Sequence, residues 1–251
     1  MIRAILFDLD GTLVHYDFDA FIREYLAALG ARLASMVEPG RLARQVMKST
    51  DVMVRNLDPR KTNREVFAED FFPAVGIPGD VLMPVFDDFY RHDFPLIKDR
   101  LGIRPHPDAR RMLEGLISRG IDVIIATNPV FPLTAIEERM RWGGLDGLSY
   151  RLVTSYETMH FCKPNREYYE EVLALIGRTP EECFMVGNDV EEDIIAGTLG
   201  MKTYLVEDFL LDRGRAQNHP DFRGTFEDLV HFMERGRFQV GRHKSALLFS
   251  G

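Results

Sequence analysis

Two carboxylates lie two residues apart in the segment from Asp8 to Leu13, directly after an apolar run at 2–7. Residues two apart in a strand point to the same side, and the following Gly11-Thr12 pair permits a turn. Close carboxylates require a cation or a shared proton. Mg²⁺ prefers oxygen ligands, an aspartate can act as a covalent nucleophile, and a second carboxyl can act as general acid and base. The pair formed by Asp8 and Asp10 therefore indicates phosphoryl transfer. The alternative is a simple turn after a strand.

Three further polar segments follow along the chain. Thr127-Asn128 offers a hydroxyl and backbone N–H groups that can hold phosphate oxygens or cap a helix. Lys163-Pro164 offers an ammonium suited to a phosphoryl group, or a surface lysine before a helix that proline starts. The acidic segment 187–193 can complete a metal site or form the first turn of a helix.

The elements that must position these residues are short apolar runs that alternate with helical patterns. Continuous runs rich in β-branched residues are typical of buried parallel strands, and they predict strands at 2–7, 121–126, 151–154, 183–186 and 203–206. Helical spacing predicts helices at 108–119, 132–142 and 165–176. This alternation indicates a parallel sheet covered on both faces, which binds ligands beyond the carboxyl ends of its strands. The polar segments follow those ends directly, except that Lys163 lies just past one.

The region from about 15 to 98 has no convincing strand pattern. It predicts four helices, at 18–33, 40–55, 64–72 and 80–90. A helical segment inserted after the first strand is a candidate lid over the ligand-binding edge. Its phenylalanine cluster predicts the core of this lid, with stacking on a substrate as the alternative: Phe67, Phe71, Phe72, Phe86 and Phe89. Arg23, Arg91 and His92 are candidate substrate contacts.

The predicted fold class is α/β, a doubly wound and mostly parallel Rossmann-like sheet with an inserted all-helical cap. The catalytic core is predicted at 1–14 and 100–236, the cap at 15–99, and a basic, disordered tail at 237–251.

Composition narrows the class of partner. The net charge of −8 argues against binding a nucleic-acid polymer, and no run approaches the roughly 18 apolar residues of a membrane span. Two cysteines, Cys162 and Cys183, lack metal-type spacing and fit a reducing cytoplasm. The expected partner is a small phosphorylated metabolite, since a metal ion and one or two cations can reverse the local field.

Taken together and in this order, the four polar segments resemble the motifs of the haloacid dehalogenase superfamily of phosphohydrolases. The segment Asp8-Leu9-Asp10-Gly11-Thr12-Leu13 matches the first motif at every defining position. Thr127, Lys163 and the segment 187–193 match the other three. The resemblance covers about 1–14 and 100–235, and the helical insert looks like the C1 type of cap.

The resemblance implies a role for each matching residue. Asp8 attacks phosphorus and ligates Mg²⁺ through its other oxygen. Asp10 supplies a backbone carbonyl to the metal and its side chain as general acid and base. Thr127 and Lys163 hold the transferring phosphoryl group, beside Asn128, whose place after the second strand already predicts phosphate contact.

The fourth motif departs from the common pattern. Many family members have Asp directly after its glycine, whereas this chain has Asn188 and then Asp189. Counting back from Asp193 favours Asp189 as the third protein ligand of Mg²⁺, and the amide oxygen of Asn188 is the alternative. By the same resemblance, Asp193 orients Lys163 or a metal-bound water.

The expected activity is Mg²⁺-dependent hydrolysis of a small phosphomonoester through an aspartyl-phosphate on Asp8. A phosphotransferase or phosphomutase with the same motifs is the main alternative. A dehalogenase has no leaving oxygen to protonate and typically lacks the counterpart of Asp10. A non-enzymatic binding module predicts losses among Asp8, Asp10, Thr127 and Lys163, and all four are present.

Overall fold

A six-stranded sheet forms the centre of the protein in the computed structural model, which describes residues 1–215 and 218–239. The strands are β1 (Ala4–Phe7), β2 (Asp122–Ile125), β3 (Leu152–Val153), β4 (Cys183–Gly187), β5 (Lys202–Val206) and β6 (Phe222–Gly224). All neighbours pair in parallel, in the order β3-β2-β1-β4-β5-β6. The first five lie at the predicted positions. The pattern does not predict β6, because Phe222 is its one large apolar residue.

Helices cover both faces of this sheet, as predicted. They are α6 (Pro107–Ser118), α7 (Leu133–Trp142), α8 (Arg166–Ile176) and α9 (Phe226–Glu234). Ile5 and Phe7 of β1 join the core that includes α6, α7 and α9. Ala4 and Leu6 join the core that includes α8, because successive strand residues point to opposite faces. The order of the strands reverses between β1 and β4, which is where sheets of this kind bind ligands.

The segment between β1 and β2 is helical, with α1 (Phe18–Arg32), α2 (Pro39–Arg55), α3 (Asn63–Val75), α4 (Gly79–His92) and α5 (Ile97–Leu101). Local signals explain the boundaries. Asp17 accepts a hydrogen bond from the Ala20 amide at the start of α1, and Thr62 forms a capping box with Glu65 at the start of α3. Gly76 ends α3 with a left-handed backbone at φ 79°. The four predicted helices are thus confirmed to within a few residues.

Aromatic packing joins the helical segment to the sheet domain. Phe21 of α1 is fully buried, and its ring centre lies 5.8 Å from that of Phe131 and 6.2 Å from that of Trp142. Phe94 stacks on Trp142 at 5.2 Å. These rings belong to the same core cluster as Ile5 and Phe7, so helical segment and sheet share one apolar core.

Hydrogen bonds also hold the start of α3 to the sheet domain. The Asn63 amide donates to the Met159 carbonyl at 2.8 Å. The buried Asn63 side chain donates to the Pro129 and Phe161 carbonyls at 3.3 and 3.2 Å. The helical segment is therefore anchored beside the loop that leads to Lys163.

The end of the chain is described up to Gln239. Residues Arg237–Gln239 form a 3-10 helix, and the Gln239 side chain exchanges two hydrogen bonds with the backbone of Ile2, at 3.0 and 2.8 Å. The remainder of the predicted tail, 240–251, lies outside the described residues. Within the described chain, no helix has the length and apolar character needed to cross a membrane.

Candidate active site

The turn after β1 brings Asp8 and Asn188 together. The Thr12 hydroxyl lies 3.2 Å from Asp8 Oδ2 and 2.9 Å from Asn188 Oδ1. Gly11 has a φ of 80°, and a Cβ there would lie 2.5 Å from Asn188 Nδ2. Only glycine fits both the left-handed backbone and this close approach. The glycine of the first motif therefore lets the ends of β1 and β4 meet.

Lys163 connects Asp8 with Asp193. Its side chain is 1% exposed, and Nζ donates to Asp8 Oδ1 at 3.0 Å and to Asp193 Oδ1 at 2.6 Å. The other Asp193 oxygen accepts from the Asp189 amide at 2.9 Å. The predicted partnership of Asp193 and Lys163 is thus present as a direct ion pair.

Burial governs the charges in this cluster. It opposes the charge on Lys163, but Asp193 and Asp8 outweigh it and raise the pKa of the ammonium well above its usual value. Burial also raises the pKa of Asp8, against the lowering effect of Lys163, and nearby Asp10 raises it further. One ammonium therefore does not fully compensate the buried carboxylates.

Asp10 is held by two side chains that the sequence analysis did not single out. The buried Arg139 of α7 forms an ion pair with Asp10, and the Tyr16 hydroxyl donates to the same carboxylate. The guanidinium of Arg139 also lies 4.7 Å from the ring centre of Phe131, and its Nη2 has no hydrogen-bond partner among the described residues. The sequence contains a signal for Arg139, because helical spacing places this arginine on the same buried face of α7 as Ala135.

Thr127 and Asn128 follow β2, as predicted. The Thr127 carbonyl accepts from the Thr154 and Tyr168 hydroxyls at 2.8 and 3.0 Å. The Thr127 hydroxyl makes no hydrogen bond to another described residue, and Thr127 lines the cavity described below. Asn128 Nδ2 donates to Glu192 Oε2 at 3.0 Å. These contacts fix the Thr127 backbone and the Asn128 side chain, and they leave the Thr127 hydroxyl available for a ligand.

Glu192 is a further site residue that the sequence analysis missed. Burial raises its pKa to about 7, Asp189 adds to the increase, and Lys163 opposes it. Glu192 lines the same cavity as Asp8. It lies inside the acidic segment 187–193, where the sequence does not distinguish a carboxylate that faces the site from one that faces solvent.

The two candidate metal ligands of the fourth motif have different surroundings. Asp189 Oδ1 accepts the amides of Glu191 and Glu192 at 3.0 and 2.9 Å, and Oδ2 pairs with Arg213 at 2.7 Å. Asn188 Nδ2 donates to the Phe209 carbonyl at 2.6 Å, while its Oδ1 faces Thr12. Asp189 as a metal ligand remains a prediction, with Asn188 as the alternative.

The charge and chemistry of the site fit a divalent cation. Five carboxylates contact or influence one another here, from Asp8, Asp10, Asp189, Glu192 and Asp193, whereas three cations pair with them, from Arg139, Lys163 and Arg213. When all are ionised, the carboxylates outnumber the cations, and Arg213 is also shared with Glu191 at 3.3 Å. Oxygen donors of this kind suit Mg²⁺. Within residues 1–215 and 218–239, no three Asp, Glu, His or Cys side chains are arranged as a metal site. A backbone carbonyl or the Asn188 amide is therefore needed to complete one.

A cavity of about 370 Å³ lies between the helical segment and these residues. Asp8, Asp10, Thr127, Asn188 and Asp189 line it on the sheet side.

The phenylalanine cluster of the helical segment serves two roles. Phe71 and Phe89 are fully buried, as predicted for the core of the segment. Phe67, Phe72 and Phe86 line the cavity as well.

The basic residues proposed as substrate contacts lie elsewhere. Arg23 and His92 do not line this cavity, and Arg91 lines a separate one of about 150 Å³. Arg64 lines both cavities instead. Its position on the exposed first turn of α3 gives no sequence signal that would separate it from other surface arginines.

Comparison with known proteins identifies the family. The sequence model of the haloacid dehalogenase-like hydrolases matches residues 2–199, which includes all four motifs. The chain belongs to the haloacid dehalogenase-like hydrolase family. The predicted superfamily, the α/β fold with an inserted helical segment and the assignment as a hydrolase are therefore confirmed.

Two phosphatases are similar to this chain along most of its length and of their own. The glyceraldehyde 3-phosphate phosphatase of Methanothermobacter thermautotrophicus is 29% identical over 228 residues, which are 86% of this chain and 90% of the relative. The ribulose-1,5-bisphosphate 5-phosphatase of Halopiger xanaduensis is 28% identical over 221 residues, which are 82% of this chain and 85% of the relative.

Solved structures of the family share the fold at lower identity. A phosphatase of the family from Thermococcus onnurineus is 18% identical with a TM-score of 0.56, and the match covers 92% of this chain and 98% of that one. An L-2-haloacid dehalogenase from Xanthobacter autotrophicus is 19% identical with a TM-score of 0.58, and the match covers 94% and 99%. At these identities the likeness establishes the fold alone.

Proposed function

We propose that this protein is a Mg²⁺-dependent phosphatase that hydrolyses a small phosphomonoester through an aspartyl-phosphate on Asp8. The observation that carries the proposal is the pair of differently held carboxylates. Asp8 is tied to Lys163 at 3.0 Å, whereas Asp10 is held by Arg139 and Tyr16. Two carboxylates in different environments can serve separately as nucleophile and as acid–base.

The first half of the reaction forms the covalent intermediate. An Asp8 carboxylate oxygen attacks phosphorus, the bond from phosphorus to the ester oxygen breaks, and Asp10 gives a proton to the leaving oxygen. Lys163 and the Thr127 hydroxyl hold the phosphoryl oxygens while charge develops on them. Mg²⁺, bound by Asp8, the Asp10 carbonyl and either Asp189 or Asn188, would supply further positive charge.

The second half returns the enzyme to its starting state. Asp10 takes a proton from a water molecule that attacks phosphorus, and the acyl-phosphate bond to Asp8 breaks to release inorganic phosphate. Contact with Arg139 and Tyr16 holds Asp10 in place as the carboxylate that takes a proton from water. Asp10 then gives this proton to the leaving oxygen in the next turnover.

The test is hydrolysis of p-nitrophenyl phosphate with Mg²⁺ and with EDTA. We expect activity that requires Mg²⁺ and that is lost in Asp8→Asn. Asp80→Asn, on the exposed start of α4, is the matched control and should retain activity. Full activity of the Asp8 variant would contradict the proposal. So would release of chloride from L-2-chloropropionate without phosphatase activity, which would indicate a dehalogenase.

The metal ligand is tested separately by Mg²⁺ titration of Asp189→Ala and Asn188→Ala, followed by thermal unfolding. We expect Asp189→Ala to bind Mg²⁺ more weakly, because the substitution removes a carboxylate with a full negative charge. Binding equal to that of the unmodified protein would refute Asp189 as the ligand and favour Asn188.

A further inference from the structure

The cavity over Asp8 has two chemically different parts. Its sheet side is polar and charged, as described above. Its opposite wall is formed by helices α1 to α4 and is mainly apolar and aromatic, with Phe18, Ile22, Val46, Phe67, Phe72 and Met83 among its residues. The sheet domain adds Val130 and Phe131 to the apolar surface.

Few hydrogen-bonding groups interrupt the helical wall. The polar residues that it contributes are Asp19, Thr50 and Arg64, apart from two tyrosines. The hydroxyls of these tyrosines, Tyr25 and Tyr90, lie 3.0 Å apart and share one hydrogen bond, which leaves a single O–H donor between them. Backbone groups within the helices are paired internally. A polar molecule against this wall would therefore find few partners.

The volume allows a substantial leaving group. The whole cavity is about 370 Å³, which is within the range of small-molecule sites. A phosphoryl group at Asp8 occupies only the polar end, so the apolar part remains for the organic group of the ester.

We propose that the preferred substrate is a phosphate monoester of an apolar alcohol with a ring or a branched chain, rather than of a sugar. The inference rests on the proposed phosphatase function and names the substrate class of that same site. A buried sugar hydroxyl without a partner loses the hydrogen bonds that it made to water, whereas an apolar ring gains by leaving water. Both phosphatases to which the chain is similar are named for sugar phosphates, so this cavity indicates a different preference.

A matched pair of substrates tests the inference. Cyclohexylmethyl phosphate and glucose 6-phosphate both carry the phosphate on a CH₂ group attached to a ring of six atoms, so both release a primary alcohol. With Mg²⁺ present, we expect kcat/KM to be at least about tenfold higher for the cyclohexylmethyl ester, since one unpaired buried hydroxyl already accounts for a factor of about ten. The difference should be mainly in KM.

Two substitutions on α4 locate the preference in the cavity. Met83 lines the cavity, whereas Val81 is exposed and does not. Met83→Gln places an amide on the apolar wall at nearly constant size, and we expect the kcat/KM ratio of the two esters to fall by about fivefold or more. Val81→Gln is the control and should leave the ratio within about twofold of the original.

The possible failures are distinguishable. Equal or faster hydrolysis of glucose 6-phosphate would overturn the apolar preference and leave the phosphatase function standing. A ratio that responds equally to both substitutions would also overturn it. Absence of hydrolysis of both esters and of p-nitrophenyl phosphate would overturn the proposed function and this inference with it.

Discussion

Glu192 makes the stability of this protein depend on pH in a way that one substitution can isolate. In the folded protein, burial and Asp189 raise the pKa of Glu192 from 4.5 to about 7. A carboxyl whose folded pKa is raised contributes stability that is complete below the unfolded pKa and is lost as the pH rises through the folded one. The raised pKa corresponds to about 3 kcal/mol in total, most of it lost between pH 5 and pH 8.

Glu192→Gln removes this titration and keeps a carbonyl oxygen that can accept from Asn128. The free energy of unfolding of the variant, measured by urea denaturation with EDTA, should therefore rise relative to the unmodified protein between pH 5 and pH 8. We expect a relative gain of about 2 to 3 kcal/mol over this range. The variant should be the more stable of the two at pH 8.

Glu191→Gln is the matched control at the neighbouring position. Burial raises the pKa of Glu191, but hydrogen bonds from the Arg215 and Arg213 amides outweigh this and lower it. A lowered pKa contributes stability that is already complete above the unfolded value of 4.5 and is lost only as the pH falls further. The difference between this variant and the unmodified protein should stay constant from pH 5 to pH 8. An equally constant difference for Glu192→Gln would refute the reasoning.

Three further substitutions test the supports of the site. A Cβ in Gly187→Ala would overlap the Asp193 carboxylate, so we expect the free energy of unfolding in urea to fall by about 1–3 kcal/mol and kcat to fall as well. Gly115→Ala is the control, because a Cβ there meets open space, and it should lower neither quantity. Arg139→Met removes the guanidinium that holds the predicted acid–base and should lower kcat by about 100-fold with a smaller change in KM, and a change confined to KM would contradict this role. Asn63→Ala removes two hydrogen bonds between α3 and the sheet domain and should change KM and kcat together in steady-state assays. Unchanged kinetics would show that these hydrogen bonds do not control how the helical segment closes over the site.

The sheet and the inserted helices are predictable from the sequence because their signals are local. Continuous apolar runs such as 183–186 indicate buried strands, and capping residues such as Thr62 and Gly76 mark helix ends. The strand β6 is not predictable in this way, because an edge strand of three residues buries too little surface to require a continuous apolar run.

The candidate site is predictable where each motif follows a strand end, and less so elsewhere. Asp8 and Asn188, which both contact the Thr12 hydroxyl, are found together because the ends of the parallel strands β1 and β4 meet at one edge of the sheet. Lys163 follows β3 only after a loop, and its ion pair with Asp8 depends on the path of that loop. Arg139 and Tyr16 act through contacts with Asp10 that depend on how α7 packs against the segment that leads into α1. Glu192 differs from its acidic neighbours only in burial, which tertiary structure determines.

The central claim is that Asp8 becomes phosphorylated during turnover. The most direct measurement is acid quenching of the Asp10→Asn variant during reaction with p-nitrophenyl phosphate, followed by mass spectrometry of its peptides. Loss of the base that activates water should make the intermediate accumulate, and p-nitrophenolate leaves without a general acid. We predict one phosphoryl group on the peptide that contains Asp8, removable by hydroxylamine. A phosphoryl group on another residue would contradict the account. So would turnover by Asp8→Asn at the rate of the unmodified protein.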